Sequence, residues 1–190
     1  IGRLVGSEMC IRDSITALNE LNKRTSCVRI MGENSKSEVI DLKIKDNEKI
    51  KIENIELKAM YTPGHTDCSY SYLMNDRVFT GDTLLINGTG RTDFQNGSSY
   101  DAYESLFNKL LKLPEKTLVY PAHDYNGKKF STIKNEKNNN PRLQVKSKEE
   151  YAEIMENLNL SNPKMMDVAV PANVKGCLLY TSDAADEHSC

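Results

Sequence analysis

Three side chains in this sequence are suited to a borderline transition metal, and each stands where a strand gives way to a loop. They are His65 in "PGHT", Asp82 in "TGDTLL" and His123 in "YPAHDY". The 190 residues contain only three histidines, so two of them at such positions is informative. Imidazole and carboxylate groups ligate metals of this kind. Loops at strand ends bring together groups that are distant along the chain. Each residue also has a plainer reading. His65 follows the Pro63-Gly64 corner as a turn residue, Asp82 accepts bonds from loop amides, and His123 is a hydrogen-bonded loop histidine. Taken together, the three positions leave the metal reading and the plain one evenly matched.

The elements that must position these residues can be read from hydrophobic period. "SITALNELNKR" places Ile15, Leu18 and Leu21 at helical spacing. "SCVRIM" (26–31) reads as a short strand. Ile50 and Ile52, then Ile55 and Leu57, flank Glu53-Asn54 as a hairpin that runs into Pro63-Gly64. "CSYSYLM" and "RVFTG" flank Asn75-Asp76 as a second hairpin. In residues 100–113, Tyr103, Leu106, Phe107, Leu110 and Leu111 share one helical face, and Pro114 ends the helix. "TLVYPAHDY" (117–125) is a buried strand running into a loop, and "FSTIKNEKNN" is helical up to Asn140-Pro141. Ser147 with Glu150 caps a helix over 147–160. Hairpins followed by helices and one further strand predict an α+β fold with sheet and helices in layers.

Composition narrows the function. The net charge is -2 and the pI is near 6.0, which argues against general nucleic-acid binding. No apolar run is long enough to cross a bilayer, and the start has no signal-peptide centre. The five cysteines are scattered without a CxxC pair, which favours a reducing compartment over a disulfide framework.

Several motifs together carry a family resemblance: "TPGHT", "FTGDTLLINGTGRTDFQNGS", "VYPAHDYNG", "NPRL", "MENLNL" and "VAVPAN". In this order and spacing they resemble the persulfide dioxygenases, the ethylmalonic encephalopathy protein group of the metallo-β-lactamase superfamily. "PGHT" and "GD" are shared across the superfamily; "GRTDFQ", "PAHDY" and "AVPAN" are more specific. The resemblance implies an αββα sandwich with the metal at one edge of paired sheets. It implies one Fe(II) held by two histidines and one aspartate, with His65 and Asp82 as metal ligands and catalytic residues. It also implies oxidation of glutathione persulfide by O2 to sulfite and glutathione. His123 matches a second-metal ligand of two-metal relatives and is expected here to line the pocket, on the second-metal or substrate side with Arg91 and Tyr125. Arg91 pairs with Asp93 or another loop carboxylate, or reaches glutathione. Tyr125 orients a ligand or packs. Thr89 stands where relatives often carry cysteine, and Cys68 is a packing residue. One rival is a glyoxalase II-type hydroxyacylglutathione hydrolase with two zinc ions and water as nucleophile. The other is a non-catalytic, misassembled product. The expected location is the cytoplasm of a prokaryote or the mitochondrial matrix of a eukaryote, with no membrane or nucleic-acid partner.

The two ends stand apart. Residues 1–14, through "LVGSEMCIRDS", and 177–190, through "CLLYTSDAADE", look like translated sequencing-library adapters, which leaves 15–176 as the natural part, the C-terminal portion of a metallo-β-lactamase-like domain. The superfamily's first metal motif, His-x-His-x-Asp-His, would fall just before the first helix, where "CIRDS" stands instead. Asp13 and Ser14 occupy the places of its last two residues. The expectation is therefore an incomplete sandwich lacking N-terminal strands and the first iron-binding histidine. It should bind iron poorly and be inactive as this chain, with His123 too far from the remaining ligands to substitute. The terminal segments should pack on nothing specific, and the hairpins 49–62 and 68–81 should expose apolar faces.

Overall fold

The computed structural model describes residues 3–5, 18–94, 96–124, 127–160 and 166–175, with backbone alone for 3–5 and 166–169. Eleven strands are present among them: β1 (Arg3–Val5), β2 (Val28–Gly32), β3 (Leu42–Ile44), β4 (Lys49–Ile52), β5 (Ile55–Tyr61), β6 (Tyr70–Leu73), β7 (Arg77–Gly81), β8 (Leu84–Leu85), β9 (Gly88–Thr89), β10 (Leu118–Pro121) and β11 (Ser131–Thr132). The helices are α1 (Leu18–Thr25), α2 (Ser99–Tyr103), α3 (Ile133–Asn139), α4 (Lys148–Glu156) and α5 (Met166–Lys175). A six-stranded sheet has the order β11-β10-β7-β6-β5-β4, a three-stranded sheet the order β1-β2-β3, and β8 with β9 forms a small ribbon.

Both expected hairpins are present. Lys49–Ile52 pairs antiparallel with Ile55–Tyr61, and Glu53 takes the positive φ that its two-residue turn requires. β6 pairs antiparallel with β7, and Met74 N–H bonds to Arg77 C=O across the second turn. β5 is antiparallel to β6, β6 to β7, and β10 is parallel to β7. Strands β5, β7 and β10 therefore run in one direction, and their C-terminal ends share one edge of the sheet. The loops leaving those ends carry His65, Asp82 and His123.

Two cores hold the sheet. Met60, Val78, Leu84, Val119 and Ile133 pack against Ala102, Leu106, Leu110, Tyr151 and Met155 from the helical side. Ile50, Ala59, Tyr70 and Tyr72 pack against Ile30 and Ile44 of β2 and β3. The apolar faces expected to be exposed on the two hairpins are thus largely covered, because the three-stranded sheet lies over them. Ile55 and Phe79 are the exceptions, at 47% and 38% exposed. The expectation that both ends pack on nothing also fails in part: Arg3–Val5 pairs in parallel with Val28–Ile30. A backbone edge accepts any extended segment, whatever its sequence.

The helix expected over 100–113 is present but not uniform. It begins as α2, capped by Ser98, whose side chain accepts from Asp101 N–H. It then widens to a π-helical stretch over Glu104–Lys109 and tightens to a 3₁₀ turn over Leu110–Lys112. Ser147 caps α4 and accepts from Glu150 N–H as expected. Residues 131–132, expected to be helical, pair instead with β10.

Candidate metal centre

Each of the three loops is tied down by its own chemistry. At the first, Gly64 adopts φ of 140°, and a Cβ built there would lie 2.4 Å from Ala102 Cα. Only glycine lets the corner press this closely on α2. Ser105 Oγ donates to Pro63 C=O at 2.7 Å, and Ser98 N–H donates to Gly64 C=O at 2.8 Å. His65 is thereby delivered by a corner clamped to the helix. At the second, Gly81 takes φ of 54° and Thr83 N–H closes a turn onto Thr80 C=O. Thr83 Oγ1 donates to Thr62 C=O at 3.2 Å, so the Asp82 turn is joined to the first loop. At the third, Ala122 N–H donates to Gly81 C=O at 2.9 Å and sets the loop carrying His123 beside Asp82.

His65 and Asp82 are both buried, at 6% and 8% exposure. His65 Nδ1 lies 2.6 Å from Arg91 C=O. A carbonyl only accepts, so Nδ1 carries the hydrogen, and the neutral form of the ring presents the Nε2 lone pair. That nitrogen faces Asp82 Oδ2 at 3.7 Å, too far for a hydrogen bond. Two bonds to one cation, each about 2.0–2.2 Å, can span such a gap. The other oxygen, Asp82 Oδ1, accepts from His123 Nδ1 at 2.6 Å. His123 is half-exposed and stands against Asp82, so the expectation that it lies far off is wrong. The Pro121↔Gly81 register between β10 and β7 brings it there. A nitrogen lone pair and a carboxylate oxygen facing one another suit a metal, as does a backbone carbonyl fixing the imidazole tautomer. Among the described residues, no three His, Cys, Asp or Glu side chains converge in ligand geometry.

Arg91 is buried and pairs bidentately with Asp93, at 2.6 and 2.5 Å, beneath the Phe94 ring. Of its two expected roles, the loop ion pair is the one the geometry shows. The paired carboxylate raises the guanidinium pKa above its ordinary value. Thr89 Oγ1 lies 3.0 Å from the Tyr151 hydroxyl, whose pKa burial pushes up to about 12. Cys68 is half-buried with Sγ 3.5 Å from Thr66 Oγ1. Tyr125 lies outside the described residues. Two residues escaped the sequence reading. Gly90 has no room for a side chain: a Cβ there would lie 2.1 Å from Asp82 C=O and 2.9 Å from the His65 ring. Its signal was an isolated glycine beside a candidate ligand loop. Arg142, half-buried, donates to Thr89 C=O, and desolvation lowers its pKa.

A profile of the metallo-beta-lactamase superfamily matches residues 16–123. The crystal structure of ETHE1 from Myxococcus xanthus superimposes with a TM-score of 0.88 at 44% identity, covering 91% of this chain and 76% of that one. The mitochondrial persulfide dioxygenase ETHE1 of Mus musculus is 40% identical over 169 residues, 87% of this chain and 66% of its own length. A hydroxyacylglutathione hydrolase of Dictyostelium discoideum is 35% identical over 115 residues, 56% of this chain and 42% of its own. The chain belongs to the metallo-beta-lactamase superfamily and, within it, to the ETHE1 persulfide dioxygenase family. It spans between 54% and 66% of the length of the mammalian relatives it matches. Membership carries a metal-dependent site, and the facing His65 and Asp82 fit one.

Proposed function

We propose that this chain is part of an enzyme that oxidises glutathione persulfide with dioxygen and water to sulfite and glutathione, at a single iron for which His65 and Asp82 are two of the ligands. The observation that supports this most directly is the pairing of His65 Nε2 with Asp82 Oδ2 across 3.7 Å, with the imidazole tautomer set by a backbone carbonyl. Iron held by His65, Asp82 and one further histidine would keep open positions at which a persulfide sulfur and dioxygen could meet. The chain's own groups do the rest. Arg91 C=O holds the hydrogen on His65 Nδ1. His123 holds Asp82 through Oδ1 and leaves Oδ2 toward His65. Arg142 is a half-buried cation without a carboxylate partner among the described residues, the type of group that receives a substrate carboxylate. Residues 15–176 would be the C-terminal part of the domain that carries this chemistry. The proposed location is the mitochondrial matrix in a eukaryote or the cytoplasm in a prokaryote; no described helix is long and apolar enough to cross a membrane.

The test supplies glutathione persulfide to the iron-loaded protein, extended before residue 15 by the superfamily's first metal motif, and follows oxygen uptake and sulfite release. Both are expected, and both should vanish in Asp82→Ala. Hydrolysis of an acylglutathione thioester with no oxygen uptake would replace this reading with the hydrolase one.

A further inference from the structure

The sequence reading gave Arg91 two roles, and the geometry points to a third that neither covered. We propose that the Arg91 side chain is a positioning device for His65: by locking residues 90–93 it holds the Arg91 carbonyl that fixes the imidazole tautomer.

Three observations meet at this turn. The first is the 2.6 Å contact from His65 Nδ1 to Arg91 C=O, the bond that leaves Nε2 facing Asp82. The second is the anchoring of the same residue's guanidinium. It is almost wholly buried, whereas the Asp93 carboxylate that grips it through two bonds is 56% exposed. A bidentate fork has one geometry, and the Phe94 ring, 4.4 Å from Arg91 Cζ, closes its other face. The third is Gly90, whose missing side chain lets the turn lie against both the Asp82 carbonyl and the His65 ring. A carbonyl in an unrestrained loop would swing and let the imidazole exchange its proton between nitrogens. Here the side chain of the residue that owns the carbonyl is pinned two positions further on. The pair Arg91–Asp93 thus acts on His65 without touching it. This deepens the proposed function, since a fixed Nε2 lone pair matters to the protein if His65 ligates a metal.

The test uses the chain with ¹⁵N-labelled histidine, free of metal and at fixed neutral pH. With three histidines in the sequence, His65→Gln assigns the His65 signals. In the unaltered chain His65 should be predominantly Nδ1-protonated. Asp93→Asn should shift it toward a mixture of tautomers, Arg91→Lys should do so partially, and Asp93→Glu should restore the parent signal. Affinity for Co(II), used alone as the probe, should fall about 10- to 100-fold in Asp93→Asn, the usual effect of losing a partner behind a ligand. Asp93 is half-exposed, so this variant should fold, and amide spectra verify that. An unchanged tautomer in folded Asp93→Asn overturns the proposal. If His65→Gln binds Co(II) as well as the parent does, the ligand reading falls instead, while a tautomer shift in Asp93→Asn still upholds the positioning role.

Discussion

Asp82 divides its two oxygens between two histidines, and the division sets what each residue should do when removed. Oδ2 faces the His65 lone pair, while Oδ1 receives the His123 hydrogen. In the protein extended by the superfamily's first metal motif, His65→Ala and Asp82→Ala each delete a proposed ligand, so each should abolish metal retention, measured as bound metal per chain after dialysis. His123→Ala deletes only the group that holds Asp82 in orientation. It should keep its metal, with affinity lower by about 10- to 100-fold. Complete loss in His123→Ala would show that His123 is itself a ligand. All three residues were legible in the sequence, because a scarce residue type at a strand end is visible in the letters. The carbonyl of Arg91 was not, since every residue has one and no letter marks its direction. Nor was the closeness of His123 to Asp82, which depends on strand register.

The elements explain why the site is rigid where it needs to be. The corner bearing His65 is fastened to the helical layer by one hydroxyl, Ser105 Oγ on Pro63 C=O. Ser105 is 1% exposed, so Ser105→Ala should cost about 1 kcal/mol, seen as a lower denaturant midpoint. The π-helical stretch holds this residue, and such widenings are frequent at functional sites. A different fastening joins β2 to the segment entering β3. Asp41 accepts from the Arg29 guanidinium and from Arg29 N–H, and these bonds hold its carboxyl at about 2. A carboxylate whose folded pKa is depressed contributes stability above its unfolded value of about 3.9, and loses it as pH falls toward 2. The pair is partly exposed, so the contribution should stay below about 1 kcal/mol. Comparing Asp41→Asn with the parent should show no difference in acid sensitivity above pH 5 and a flatter stability curve for the variant below about 4. Long periodic elements such as the two hairpins and α4 were legible in the sequence. β3, β8 and β9 have two or three residues each, too few for any period to show. α5 contains Pro171, which reads as a breaker.

At the scale of the whole molecule, the two sheets differ in width, and the difference leaves apolar surface in water. On its helical face the six-stranded sheet buries Met60, Val78 and Val119 under the helices. On its other face the three-stranded sheet covers Ile50, Ala59, Tyr70 and Tyr72. Tyr72 stands opposite Phe79, and Phe79 opposite Tyr120, so these side chains share that second face. Among the described residues the cover stops beyond Tyr72. Phe79 and Tyr120 have ring centroids 5.7 Å apart, Tyr120 and Phe130 likewise, and Phe79 and Phe130 are 38% and 50% exposed. Arg77, with Cζ 5.6 Å from the centroid of the Tyr120 ring, is a cationic group beside this strip. A contiguous aromatic surface of this kind drives association when nothing covers it. The 190-residue chain should therefore self-associate with rising concentration, and added salt should not dissolve the assemblies, because burial of apolar area rather than charge pairing holds them. The double variant Phe79→Ser, Phe130→Ser removes two exposed rings and leaves the buried core clusters intact. It should shift the population toward monomer in sedimentation velocity, with an unaltered fold by circular dichroism. Equal association in parent and variant would show that another surface, such as the free edge of β4, is the one that joins the chains.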